Sequence, residues 1–355
     1  YAEGDLASLY KGPLFYCKDA FEGLHTMDRV AGGETEIMVE QQQLEVNRRK
    51  ALREKAAATR VAPTAVLEKS QVPSDNPVPT PPFWGRRVVT GIPLEQVFPF
   101  INPLALFRGQ WGFKKGGMSE EEFERSTEEK ARPVFGALQK RAIKEKLLDP
   151  KVVYGYFPVQ SSGDELIVYE IEEFTHDGAA RLSGLRQQPR EWMRFSFPRQ
   201  ETRRRLCISD FFRSTDSGEY DVLGVQLVTV GDRASEIAQQ LFADNKYQEY
   251  LYLHGFGVES AEGLAELWHK RMRQELGFGS EDSPKIKDIF QQKYRGSRYS
   301  LGYPACPNLE DRAKIVQLLA PESIGVTLSE NYMLVPEQST DALVVHHPQA
   351  KYFDA

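Results

Sequence analysis

The stretch RYSLGYPACP, residues 298–307, brings a guanidinium, a glycine and a tyrosine hydroxyl into one proline-stiffened loop. Gly302 opens backbone conformations closed to other residues, and Pro304 and Pro307 fix the dihedrals that follow. Such a loop can hold its peptide groups rigidly against a small molecule. Arg298 adds a planar fork that suits a carboxylate. Taken alone, the same spacing also describes a solvated arginine beside a common glycine-proline turn, so the neighbouring motifs must decide.

A second element, HPQAKYF at 347–353, follows the loop, and AEGLAELWHKR at 261–271 precedes it. NPLALFRGQWGF at 102–113, GYFPVQSSGDELIVYE at 155–170 and LCISDFF at 206–212 extend the series toward the N-terminus. In this order the motifs resemble the activation domain of cobalamin-dependent methionine synthase, over most of residues 81–355. The resemblance implies an S-adenosylmethionine site. Arg298 would hold the methionyl carboxylate, Tyr303 would lie where the methyl group faces cobalt, and Tyr352 and Phe353 would line the pocket. Gly302 and Ala305 would contribute from the loop, and Glu262 would meet the ammonium. Asn102 stands where a family member has an aspartate for that ammonium; it keeps a carbonyl acceptor without the charge.

The resemblance also implies a task. Methionine synthase makes methionine from homocysteine and methyltetrahydrofolate, and its cobalamin is occasionally oxidised to an inactive state. The activation domain then presents S-adenosylmethionine to cob(I)alamin while a flavodoxin-like or diflavin reductase supplies the electron. Cobalt is the nucleophile, so no catalytic residue is required of this chain, and its contribution is alignment. Cobalamin belongs to the neighbouring domain, and zinc only to a homocysteine domain that this chain lacks. The chain is not expected to complete the methyltransferase reaction alone.

DLASLYKGPLFYCKDAFEGLHTMDRV at 5–30 resembles the last strand and helix of the cobalamin-binding domain, a doubly wound parallel fold. The apolar run Pro13–Cys17 reads as a short buried strand and Ala20–Met27 as the helix after it. Residues 1–34 are therefore expected to be the remnant of that domain. Ala20 would touch cobalamin only with the rest of the domain present. The motif carrying the cobalt-ligating histidine is missing, so tight cobalamin binding is not expected, and the chain reads as a piece of a longer modular protein. It ends at Ala355, where relatives continue with a further helical stretch.

Positioning these residues requires a scaffold. Glu34–Ala58 favours helix with a thin apolar stripe, and Thr59–Pro82 brings six prolines, which makes 35–82 a helical and then extended linker. In 83–355, Ser119 with Glu122 forms a capping box, Pro133 is expected to interrupt or kink the helix, and Ala137–Leu148 resumes it. Val152–Phe157 and Leu166–Ile171 flank a Ser-Ser-Gly-Asp turn and predict an antiparallel hairpin. Tyr220–Val230 alternates like a strand. Ala234–Leu276 reads as helix broken near Gly255 and Gly257, and short strands follow at Val326–Leu334 and Leu343–His346. Segregated helices and strands predict an α+β fold, an antiparallel sheet with surrounding helices. No glycine-rich phosphate loop appears.

Composition narrows the function classes. The 355 residues carry a formal charge of -6 and are 41% hydrophobic, enough for one large core or two modest ones. An acidic average argues against a nucleic-acid partner. Four arginines between Arg199 and Arg205 form the one basic cluster; a solvated loop is the favoured reading, with docking of an acidic electron carrier as the other. No apolar run spans a bilayer and no signal peptide is visible, so the expected location is cytoplasmic. Cys17, Cys207 and Cys306 lack zinc or disulfide spacing and are expected to be reduced. His269 and His347 are expected to be structural, and no metal is assigned. Two rival classes remain: a stand-alone methyltransferase on a parallel sheet, and an interaction module that docks a flavoprotein reductase without its own ligand site.

Overall fold

The computed structural model describes residues 10, 12–15, 17, 20–43, 70–171, 189–201 and 204–354. Contacts divide the chain into units spanning 1–66 and 67–355. In the first, helix α1 (Ala20–Ala31) ends at a turn in which Gly33 takes φ 83°, and residues 35–43 are again helical. Ala20 is the first residue of α1. The described residues of the run 13–17 form no strand. An extended segment becomes a strand only when a neighbour takes up its backbone groups, and the described part of this unit contains no such neighbour. The later part of the predicted linker helix lies outside the described residues.

The second unit is built on one seven-stranded sheet. Its strands are β1 (Gly85–Val89), β2 (Lys151–Ser162), β3 (Glu165–Tyr169), β4 (Glu191–Ser196), β5 (Asp221–Thr229), β6 (Ser297–Tyr299) and β9 (Ser339–Val345). β7 (Thr327–Leu328) and β8 (Leu334–Val335) form a separate two-stranded ribbon. The order is β4-β3-β2-β5-β9-β6, and β1 shares one edge of β2 with β3. Every ladder is antiparallel. The predicted hairpin is present, with Ser162 opposite Glu165 and Gly163 at φ 62° in the connection.

Helices cover one face of the sheet. They are α2 (Glu120–Glu145), α3 (Arg233–Ala243) and α4 (Tyr247–Glu275). Phe135, Leu138, Trp268 and Met272 join Val152, Tyr154, Val228 and Val344 in one core. On the opposite face, α5 (Arg312–Leu319) packs Ile315 and Leu318 with Val153, Phe157, Leu227 and Leu343. β5 is therefore buried along all nine residues, where the sequence suggested half-burial by alternation. Both of its faces are occupied, the situation in which a strand loses its polar side.

Three local expectations are met or corrected here. Ser119 and Glu122 make the reciprocal capping box at the start of α2. Pro133 does not interrupt that helix; Phe123, Ala131, Phe135, Leu138 and Ala142 bury a stripe on both sides of it, which offsets the lost backbone bond. α4 also runs unbroken through Gly255 and Gly257, and the break falls instead before it, where Asn245 takes φ 60°. Those glycines serve packing: a Cβ on Gly255 would lie 2.6 Å from Gln110 Cβ, and one on Gly257 3.1 Å from Gln338 Cγ.

The described part of the proline-rich stretch, from residue 70, forms neither helix nor strand and is pinned to this unit. Ser70 Oγ donates to Asp210 Oδ2 at 2.7 Å, His347 Nε2 lies 2.9 Å from the Pro73 carbonyl, and Arg213 donates to Asn76 O at 2.8 Å. The arginine cluster is not uniformly solvated. Arg199 is 7% exposed and makes ion pairs with Asp164 at 2.7 Å and Asp210 at 2.6 Å, because the β2–β3 turn and the 207–212 segment fold acids onto it. Cys17, Cys207 and Cys306 are free thiols. Among the described residues no helix is long and apolar enough to cross a membrane.

Candidate functional site

Arg298 is the middle residue of the edge strand β6, opposite Val344 of β9. Directly opposed residues share a face, so Arg298 points toward α4 while Tyr299, opposite Leu343, points into the other layer. One residue of strand alternation thus separates site from anchor. Tyr299 packs on Phe353 with ring centroids 5.9 Å apart, and its hydroxyl donates to Lys351 O at 2.9 Å. The KYF element is held there: Phe353 is buried against Phe211, and Lys351 Nζ donates to the carbonyls of Gln292 at 2.9 Å and Tyr294 at 2.5 Å.

Two carboxylates of α4 face the guanidinium. Glu262 Oε2 accepts from Arg298 Nη2 at 3.2 Å, and Glu266 Oε2 lies 3.3 Å from Nη1. Nη1 is buried and makes no hydrogen bond. Burial opposes the charge of Arg298, but Glu266 and Glu262 more than offset it, and the guanidinium pKa is raised. Gly263 explains how the neighbouring loop comes so close. A Cβ there would lie 3.1 Å from Ile101 N, which brings the backbone beside Asn102 against the helix next to Glu262. Asn102 Oδ1 accepts from Leu104 N at 3.1 Å and sets up the π-helical turn Ala105–Gln110.

The loop after β6 is closed by its own backbone. Gly302 N donates to Cys306 O and Cys306 N to Tyr303 O, both at 2.9 Å. Gly302 takes φ 92°, a region that favours glycine, and a Cβ there would meet Leu309 Cδ2 at 2.8 Å. Ala305 is fully buried beneath the turn. Tyr303 and Tyr352 remain 58% and 41% exposed; partial burial raises the Tyr352 hydroxyl pKa, and Tyr303 is near enough to add to the rise. The structure therefore gathers Arg298, Glu262, Gly302, Tyr303 and Tyr352 at one edge of the sheet. Phe353 and Ala305 lie beneath them as support.

A family model described as "Vitamin B12 dependent methionine synthase, activation domain" matches residues 93–355. The chain belongs to this family. Methionine synthase of Mycobacterium tuberculosis (strain ATCC 25618 / H37Rv) is 43% identical over 380 residues, covering 100% of this chain and 31% of the relative. That of Mycobacterium leprae (strain TN) is 41% identical over 383 residues, again covering 31% of the relative. The chain thus spans about a third of the length of these relatives. A solved structure titled "Crystal Structure of the MetH Reactivation Domain bound to AdoHcy" shares the fold, with a TM-score of 0.67 at 24% identity over 79% of this chain and 83% of that one.

Within this activation domain, four residues join the site that the motif reading did not assign to it. Glu266, His269 and Arg273 continue the face of α4 that begins at Glu262, and Tyr294 packs against them. Their helical spacing was visible, but only a strand carrying Arg298 across that face gives it meaning. His269 is fully buried, with both ring nitrogens unpartnered. Burial first, and then Arg273, Arg298 and Lys351, hold it neutral. His347 Nδ1 accepts from Gln349 N at 3.1 Å, so its Nε2 donates to Pro73 O. Both nitrogens are used in structure.

One turn before Glu262, Glu259 is 7% exposed with Gln110 Nε2 at 3.4 Å as its polar contact. Burial pushes its pKa from 4.5 up to about 7, with Glu262 adding to the rise. The fold therefore binds this proton more tightly than the unfolded chain does. Its contribution to stability is complete below pH 4.5 and is lost as pH rises through 7, by about 3 kcal/mol. Urea denaturation at pH 5 and pH 8 should show that loss in the parent, and Glu259→Gln should remove the slope. A parent-like slope in the variant would assign the titration elsewhere.

Proposed function

We propose that this chain binds S-adenosylmethionine at the edge of the sheet and presents its methyl group for reductive reactivation of a cobalamin-dependent methionine synthase. The observation that carries the proposal is the buried Nη1 of Arg298, which faces Glu266 at 3.3 Å yet makes no hydrogen bond, on the same sheet edge as the exposed Tyr303 and Tyr352. Arg298 takes the methionyl carboxylate as a bidentate partner, and Glu262 takes the ammonium. Tyr303 and Tyr352 flank the sulfonium end, and the backbone of Gly302 and Ala305 offers fixed polar groups. Asn102 supplies a neutral acceptor near the amino group. The binding of AdoHcy named for the related structure supports this assignment by analogy of fold.

The corrin cofactor, when held by a companion domain, supplies the methyl acceptor. The residues here bind, orient and shield the donor; no nucleophile or base is needed of them. Alignment of methyl and acceptor is where such a domain lowers the barrier, within the roughly 7–11 kcal/mol available to ideally oriented reactants. In this reading residues 1–34 come from the cobalamin domain, where Ala20 would touch cobalamin only with the rest of that domain present, 35–82 are linker, and 83–355 form the reactivation domain of a cytoplasmic enzyme. A flavodoxin-like or diflavin reductase delivers the electron.

Calorimetric titration of S-adenosylmethionine and S-adenosylhomocysteine into the 355-residue chain tests the proposal. Saturable one-to-one binding is expected. Heat of dilution alone would overturn it and leave a reductase-docking module without a ligand site. A stand-alone methyltransferase is disfavoured because every ladder of the sheet is antiparallel.

A further inference from the structure

The two counter-ions of Arg298 differ in kind. The Glu262 side chain is 45% exposed, and Arg298 is its one ion-pair partner among the described residues. Glu266 is 10% exposed and held from three directions: Arg298 Nη1 at 3.3 Å, Arg273 Nη1 at 3.9 Å and the Tyr294 hydroxyl at 3.5 Å. Arg273 is itself buried and doubly bonded to Asp282 at 2.9 and 2.8 Å. Moving Glu266 would leave two guanidiniums short of compensation in a poorly solvated place, which is costly. Moving Glu262 into water costs less, since its carboxylate is already half solvated and Glu266 still faces the Arg298 charge at 3.3 Å.

We infer that Glu262 is an exchangeable counter-ion: it occupies the Arg298 fork in the empty site and gives way to an incoming α-carboxylate, while Glu266 stays. This rests on the reading that Arg298 binds a ligand carboxylate. Glu266 is then the positioning residue, keeping the guanidinium charged and oriented through the exchange. Nη1, buried without a hydrogen bond, is where the incoming carboxylate gains its first contact, and Nη2 is released as Glu262 swings away. The freed Glu262 meets the ligand's ammonium. An α-amino acid satisfies every partner in this swap. A carboxylic acid without the amino group must displace Glu262 and offers it nothing in return.

The sign of a substitution effect therefore depends on the ligand. The parent chain, Glu262→Gln and Glu266→Gln are titrated with S-adenosylhomocysteine and with its desamino analogue. Glu262→Gln should weaken S-adenosylhomocysteine about tenfold and tighten the desamino analogue about threefold, because only the competitor is lost. Glu266→Gln should weaken both ligands by the same factor, about tenfold, and near-ultraviolet circular dichroism should show its fold retained. A merely structural role for Glu262 cannot produce opposite signs. If Glu262→Gln shifts both ligands in one direction, or leaves the desamino analogue unchanged, exchange is wrong although the site stands. If the parent binds neither ligand, the carboxylate site and the exchange fall together.

Discussion

Arg298→Ala is expected to abolish S-adenosylhomocysteine binding in the calorimeter, a loss of at least a hundredfold. A bidentate guanidinium–carboxylate contact contains two charge-assisted hydrogen bonds, each contributing about 1.5–3 kcal/mol, and the smaller total already exceeds two decades of affinity. The substitution also leaves the ligand carboxylate facing Glu262 and Glu266 with no cation between them. Folding should survive, because Arg298 sits on a three-residue edge strand whose anchor, Tyr299, points the other way into Phe353. Arg298→Lys separates charge from geometry. It keeps the cation without the fork, and an intermediate loss of about tenfold is expected. Parent-like affinity in Arg298→Ala would remove the carboxylate from this residue.

Elements whose causes are local were legible in the sequence. The Ser119 capping box, the Gly163 hairpin and the closed turn after Gly302 depend on residues a few positions apart, and each forms as read. The family motifs likewise fall where the chain gathers Arg298, Glu262 and Tyr303. What escaped depends on distant contacts. Arg199 looked solvated because Asp164 lies 35 residues away in sequence and meets it only when the β2–β3 turn folds over. Gly255 and Gly257 looked like breaks because their close neighbours, Gln110 and Gln338, belong to other elements. Glu266 and Arg273 look like ordinary charges on a helix until β6 is laid across them. The run 13–17 had a strand's composition, but composition supplies no pairing partner.

The loop bearing Tyr303 depends on a buried ion pair on the other side of the sheet, and breaking that pair should have the largest stability effect in the chain. Arg312, 12% exposed, donates to Asp341 Oδ2 at 3.0 Å, to Tyr332 O at 2.9 Å and to Leu301 O at 3.3 Å. Asp341 is 1% exposed, so the guanidinium it fixes ties the carbonyl of Leu301, directly before Gly302, to the sheet. Burial raises the Asp341 pKa despite Arg312. Arg312→Met should cost about 3–5 kcal/mol in urea denaturation at pH 7, because it leaves a buried carboxylate uncompensated. The sign with pH follows from the raised pKa. The fold prefers the protonated acid, so the deficit should shrink as pH falls toward the unfolded carboxyl value and grow as it rises. Replacing both partners, in Arg312→Met with Asp341→Leu, should recover most of the stability, since neither charge is then buried. Recovery of stability without recovery of S-adenosylhomocysteine affinity is the expected pattern for the pair, because the apolar residues fill the space but cannot hold the Leu301 peptide. Affinity restored along with stability would mean that the turn closed by Gly302 and Cys306 keeps its shape unaided.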